Sequence, residues 1–492
     1  MQDYNEKVWK RQVAARAAKE RGAVMLTLHL FHTNDLHSHF QRWGALVHYL
    51  NIERSRLDQL NEPYLTLDLG DHMDRVNPLT EGLLGTGNVQ LLNDAHYDAV
   101  TIGNNEGITF TKAQIGAAYS TRAFTVVLAN LFEDSGERPD WCRPFMIRDM
   151  AGVSVGFIGL TAAYPKFYRL LGWDVHDPLE TLRPLVHELR PQVDVLVLLS
   201  HVGLPFDRLV AEEVTGIDVI IGAHTHHALE QGEVVNGTLI AQAGKYGRYA
   251  GHITIEYDQD EGRVAYKGAD LITLREAADP AADRQVKELS AAGIARMQQP
   301  IAVLKKPLVS KWYQDSEISG LLADALRNWC DADIGLVNAG AILDGLPAGT
   351  VTRYQVHQIC PHPINPCRVT LSGAQLVEIA ERGLGVSFQN YALKGFGFRG
   401  KVIGQLVFSH LKYRLVTRDG KRHVCDVTID DLPVVFGKIY SVGTIDMFTF
   451  GHMLPPIVSA PQQFYLPETL RDLLAWRLQM GPNEPAASPI HV

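Results

Sequence analysis

From Leu26 onward, short apolar and β-branched runs alternate with polar–apolar stretches of helical length. LTLHLFHT (26–33) reads as a strand and 42–60 as a helix. YLTLDLG (64–70) reads as a second strand, 80–96 as a helix and DAVTIG (98–103) as a third strand. A helix over 111–121 leads into FTVVLAN (124–130), and VSVGFIGL, VDVLVLLS and IDVIIG repeat the theme. Near-continuous apolar runs separated by helices predict strands covered on both faces. Paired strands with glycine turns follow around Gly237 and Gly251, and this α/β sandwich ends near residue 275.

The Ala-rich, charged stretch 276–299 reads as a helical connector. A second α/β unit follows, with a helix over 317–329, the strand IGLVNA, a helix over 373–382 and a late β-rich stretch. The chain thus divides into an extension (1–24), a first domain (25–275), a linker (276–299), a second domain (300–475) and a tail (476–492). The Pro- and Ala-rich tail reads as disordered. The extension lacks the apolar core of a signal peptide, and Met25 stands where a natural start would fit equally well.

Composition narrows the function. At 492 residues, 46% hydrophobic and 21% charged, the chain is an ordinary globular protein with more than one core. Its net charge of −9 argues against binding a nucleic-acid polymer, which requires a basic surface. No run of 18 apolar residues predicts a membrane span. The five cysteines are odd in number and lack CxxC spacing. That disfavours a disulfide framework or a thiolate zinc site and predicts a reducing cytoplasm.

The chemistry sits at the ends of the apolar runs. HTNDLHSH carries Asp35 and His37, LGDHMD carries Asp71, IGNNEG carries Asn104, LLSHVG carries His201, and IGAHTH carries His224 and His226. Each cluster alone is equally an ordinary turn, since Asn, Asp and Gly favour turns. Together they place a metal-competent side chain after each of five strands. Open α/β sheets gather ligands beyond the carboxyl ends of their strands. The expectation is a two-ion centre in which Asp71 bridges, and the mixed N/O donor set suits Mn, Zn, Fe, Co or Mg. Such a pair activates a water for attack on phosphorus.

In this order the motifs resemble those of the calcineurin-like metallophosphoesterases, and the two-domain layout resembles bacterial 5'-nucleotidases and UDP-sugar hydrolases. The resemblance covers about residues 26–470. It implies a four-layer α/β/β/α sandwich followed by a C-terminal α/β domain that holds the nucleoside. It assigns Asp35, His37, Asp71 and His226 to one ion, and Asp71, Asn104, His201 and His224 to the other. The family's GNH carries a histidine that stabilises the transferring phosphoryl group, and this chain has Asn105 there. Asn donates a hydrogen bond but carries no charge, which makes His39 and His72 candidate substitutes. In the C-terminal half, NAGAIL has Leu343 where the family's GGGIR-type arginine stands, and FTFGHMLPP replaces its GGDG run. Candidate anion contacts are Arg368, Lys394 and Arg399. Candidate stacking rings are Phe396, Phe398, Phe448 and Phe450. The expected function is hydrolysis of a small phosphoester, a nucleoside 5'-monophosphate first. The alternatives are a nucleotide sugar, a 2',3'-cyclic nucleotide, a sugar phosphate, or a nucleotide-binding protein of low turnover.

Overall fold

The structure, a computed structural model, describes residues 24–275 and 277–480. The expected N-terminal extension and the end of the tail, with the disorder expected there, lie outside the described residues. The chain forms two compact units that divide between Ala292 and Gly293.

The first unit is built on two six-stranded sheets. One sheet runs, in spatial order, Arg263–Thr273, Tyr249–Asp258, Met25–Thr33, Tyr64–Asp68, Ala99–Val100 and Thr125–Val126. The other runs Glu233–Val235, Thr238–Ala241, Val219–Gly222, Val195–His201, Val153–Thr161 and Phe145–Met150. Within each sheet four adjacent strands are mutually parallel, and the remaining two pair antiparallel with their neighbours. Alternation explains the apolar runs. Val195, Val197 and Leu199 face Leu28, Leu30 and Leu67 of the opposite sheet. Leu196 and Leu198 pack on the other side against Leu182, Val186 and Val210 of the covering helices. Both faces are dry, so every position of VLVLL is apolar.

The segment after Val126 ties the sheets together. Val127 donates its N–H to Val100 O, and Ala129 donates to Gly159 O in the second sheet. A Cβ on Gly159 would lie 1.9 Å from Val127 O, so only glycine permits this approach.

The local reading differs in places. The helix expected over 80–96 is two helices, Pro78–Leu83 and Thr86–Asp94, because Leu84 and Gly85 both take left-handed backbone. The third and fourth strands keep only two paired residues each. The connector is the helix Pro280–Arg296. Its start docks on Gly44, where a Cβ would lie 2.3 Å from Asp283 Oδ1.

The second unit holds a five-stranded sheet ordered Leu406–Ser409, Ile334–Asn338, Ile439–Ile445, Pro366–Ser372 and Gln462–Phe464. The amphipathic helix Glu317–Trp329 packs against it through Leu322, Ala325 and Leu326, all fully buried. Late in the chain the hairpin Leu411–Arg418/Lys421–Ile429 accounts for the β-rich stretch.

Replacing Gly159 by Ala should destabilise the first unit by about 1–3 kcal/mol or more through overpacking. A thermal or urea melt indistinguishable from wild type would contradict the account of how the sheets are joined.

Candidate metal centre

All the strand-end clusters meet at the carboxyl edge of the parallel strands, and their backbones hold one another. Asp35 N–H donates to Gly70 O at 3.0 Å, His37 N–H to Asp71 O at 2.8 Å and Ser38 N–H to His72 O at 2.9 Å. His224 N–H donates to the Asp35 carboxylate at 3.0 Å, and Tyr246 N–H to Asp35 O at 2.9 Å. Five of the seven expected ligands, Asp35, His37, Asp71, His224 and His226, take left-handed backbone with φ between 48° and 70°. For a residue with a Cβ each such turn costs roughly 1–2 kcal/mol. Gly70 (φ +86°) turns against Gly103, and a Cβ on either would strike the other turn at 2.0–2.2 Å.

Glu106, fully buried at the third position of the helix Asn104–Thr109, fastens these turns. Its carboxylate accepts the N–H groups of Asp71 (2.9 Å), Met73 (2.8 Å) and Gly103 (2.9 Å). Burial, then the Asp71 charge, pushes its pKa up to about 8 against the pull of those donors. The sequence reading overlooked Glu106, although its place three residues after Gly103 is a helix-capping position.

The side chains converge. Ligand atoms of Asp35, His37 and His226 lie within 4.8 Å of one another, as do those of Asp35, Asp71 and His201. His37 Nε2 is 3.2 Å from His226 Nε2 and 3.7 Å from Asp71 Oδ2, and His201 Nε2 is 3.5 Å from Asp71 Oδ1. His224 stands beside His201, ring centroids 5.4 Å apart. Two buried atoms fit ligands that wait for a cation. His201 gives Nδ1 to Leu69 O at 2.6 Å while its Nε2, beside the Asp71 carboxylate, makes no hydrogen bond, and Asn104 Oδ1 makes none either.

Electrostatics point the same way. Burial favours the neutral form of Asp71, yet His201, His37 and the Asn105 N–H hold its carboxyl well below the usual range. Burial likewise opposes a charge on His201, but the Asp71 and Asp35 carboxylates outweigh it and lift the imidazole to about 10. The protein alone draws in a proton to balance two buried carboxylates. Divalent ions would take that proton's place, so this donor set fits hard or borderline cations.

Asn105 turns onto the protein. Its Nδ2 lies 2.8 Å from His37 Nδ1 and 3.3 Å from Met73 O, and its N–H donates to Asp71 Oδ1 at 2.8 Å. His72 is not at the mouth. It is buried against Trp43 and Phe40, and burial drives its pKa down to about 3, so it cannot replace a catalytic histidine. His39 stays at the rim, its ring 3.9 Å from Tyr246. Two further residues went unnoticed in the sequence. Tyr164, after the strand Val153–Thr161, brings its hydroxyl 3.1 Å from His224 Nε2, leaving Nδ1 as that ring's remaining ligand atom. Lys245, after the strand Thr238–Ala241, brings Nζ 3.2 Å from His226 Nδ1. Both follow strands of the same edge, which was the available signal.

In the second unit Phe396 and Phe450 face each other nearly parallel, centroids 5.6 Å apart and planes 6° from coincidence. They line a cavity of about 550 Å³ with Phe388, Tyr391, Arg382 and Met453. Phe398 and Phe448 do not reach it. Phe398 is buried on His362, and Phe448 is fully buried. Arg368 lies on the strand Pro366–Ser372 beside Tyr465, Arg399 is turned to Phe398 O, and exposed Lys394 is outside the lining. The cavity's own arginine is Arg382, held by Met453 O and His452 O.

Comparison with known proteins agrees with this layout. The calcineurin-like phosphoesterase family matches residues 28–228, and the 5'-nucleotidase C-terminal domain family matches residues 294–453. An uncharacterized metallophosphoesterase of Bacillus subtilis is 41% identical, covering 92% of this chain and 99% of the relative. Human 5'-nucleotidase is 23% identical over 74% of this chain and 72% of its own. The fold matches the NAD nucleotidase of Haemophilus influenzae (TM-score 0.65, 16% identity, 93% of this chain and 97% of the other). It also matches a putative 5'-nucleotidase from Staphylococcus aureus (TM-score 0.65, 18% identity, 91% and 96%).

Removing the Tyr164 hydroxyl (Y164F) should leave folding intact and weaken divalent-ion affinity roughly 10- to 100-fold, the usual cost of losing such an outer partner. Calorimetric titration with Mn²⁺ measures it, and an unchanged affinity would refute the role.

Proposed function

The chain belongs to the calcineurin-like metallophosphoesterases that carry a 5'-nucleotidase-type C-terminal domain, and from that premise we propose that its substrate is a nucleoside 5'-phosphate. It is a hydrolase, and metal-dependent cleavage of a phosphoester is its reaction. The observation that carries the finer reading is the parallel Phe396–Phe450 pair. A flat ring between two others needs about 7 Å, twice the best carbon–carbon separation. A base between them would require half-exposed Phe396 to move outward from its present 5.6 Å separation. Stacking of this kind contributes roughly 1–3 kcal/mol per base and accepts any base.

Divalent ions, when bound, would supply positive charge for the phosphoryl oxygens and lower the pKa of water. The protein's own residues set the frame. Asp71 would be shared by both ions, Asp35, His37 and His226 would hold one, and Asn104, His201 and His224 the other. Asn105 keeps Asp71 and His37 oriented and adds no charge. The five free cysteines, four of them buried, fit a reducing compartment, and we place the enzyme in the cytoplasm.

A second reading keeps the chemistry and changes the substrate to a phosphoester without a base. It is favoured by Leu343 at the family's arginine position and by Arg368 and Arg399 lying away from the cavity. A panel with added Mn²⁺ separates the two. A nucleoside 5'-monophosphate should exceed ribose 5-phosphate in kcat/KM by about 10- to 100-fold, and Phe396→Ala should erase that margin. Equal rates would select the second reading. D71A should reduce every substrate to background, and full turnover by that variant would remove the two-ion mechanism altogether.

A further inference from the structure

Phosphoryl transfer places negative charge on the non-bridging oxygens, and Asn105 cannot meet it with a cation. Its side-chain amide is turned onto His37 Nδ1 and Met73 O, and in either amide orientation it offers no charge. Nearby Arg75 is committed as well: Nε and Nη2 bind Glu81, and Nη1 binds Thr109 O. Lys245 is different. It is half-buried, and no carboxylate among the described residues pairs with it. Its Nζ rests 4.7 Å over the Tyr246 ring and 3.2 Å from His226 Nδ1.

The backbone around Lys245 is fixed to the metal-binding loops. Asn34 binds both Ala243 N–H (2.8 Å) and Gly244 O (2.7 Å), Gly244 N–H donates to His227 O, and Tyr246 N–H donates to Asp35 O. Tyr246, a non-glycine residue at φ 62°, is held in that conformation beside His37 and His39. Strained, pinned loops of this kind mark functional positions.

The contact with His226 is incompatible with that ring ligating an ion through Nε2. His226 turns Nε2 toward Asp35 and His37, which makes Nε2 its ligand atom. A neutral imidazole that ligates through Nε2 carries its hydrogen on Nδ1. A lysine ammonium has three donors and no acceptor, so donor would then face donor at 3.2 Å. An ion held by His226 would therefore displace Nζ, which would then need an anionic acceptor at the mouth of the cluster. We propose that Lys245 is a catalytic residue that contacts a non-bridging oxygen of the substrate's phosphoryl group and supplies the charge Asn105 lacks. It transfers no proton. This rests on the phosphohydrolase reading above.

The test compares wild type, K245M and K245R as full chains loaded with Mn²⁺. Inorganic phosphate is titrated calorimetrically, metal content is measured by elemental analysis, and turnover is assayed. K245M should keep its metal, bind phosphate about tenfold more weakly and lose roughly 10²-fold in kcat/KM. K245R should recover much of both. Phosphate affinity and turnover unchanged in K245M overturn the assignment alone. Loss of metal in K245M that accounts for the lost activity also overturns it, since Lys245 would then serve only the ligand set. A wild-type protein that is metal-loaded yet neither binds phosphate nor hydrolyses any phosphoester overturns the underlying reading as well.

Discussion

The candidate metal centre depends on a backbone constraint: five of its seven expected ligands sit on turns that an isolated peptide would avoid. Asp35, His37, Asp71, His224 and His226 all hold left-handed φ values. Four of them donate their N–H to a neighbouring segment: Asp35 to Gly70 O, His37 to Asp71 O, Asp71 to Glu106 and His224 to Asp35. The Glu106 carboxylate gathers the Asp71, Met73 and Gly103 amides into one point, and Gly70 and Gly103 allow two turns to touch through their backbones. The set is cooperative, so a fault in one turn spreads to the ligands on the others.

That stitching needs a rigid base, and the sheets provide it. Strands dry on both faces cannot slide by one residue without carrying His201 or the Asp35 loop away from the edge. The Val127–Ala129 segment and Gly159 join the two sheets, so candidate ligands from one sheet (Asp35, His37, Asp71, Asn104) meet those from the other (His201, His224, His226). The buried carboxylates of Asp35 and Asp71 then create the demand for positive charge, which a proton on His201 satisfies only in part. Fold, strain and electrostatics thus act on the same few residues.

Much of this was legible because the signals are local and repeated. A short apolar run followed by Asp, Asn or His recurs at five strand ends, and both the element type and its polar terminus survive in the three-dimensional arrangement. What was hidden depends on direction in space. Phe396 and Phe398 differ by two residues, yet one lines a cavity and the other packs on His362, because Phe396 and Gly397 reverse the chain with positive φ. His72 looked like a spare catalytic histidine because it follows Asp71, but the turn points it into the core beside Trp43. Tyr164 and Lys245 share the strand-end pattern but are not familiar ligand types, so only coordinates bring them to the site. The break at Leu84–Gly85 escaped notice because the apolar periodicity continues across it.

Diffraction from crystals grown with Mn²⁺, collected at the manganese absorption edge, addresses the central proposition directly. The account predicts two anomalous peaks about 3.5–4 Å apart. Asp71 would lie between them, one peak ringed by Asp35, His37 and His226 and the other by Asn104, His201 and His224. A single peak, or peaks away from these side chains, would contradict it.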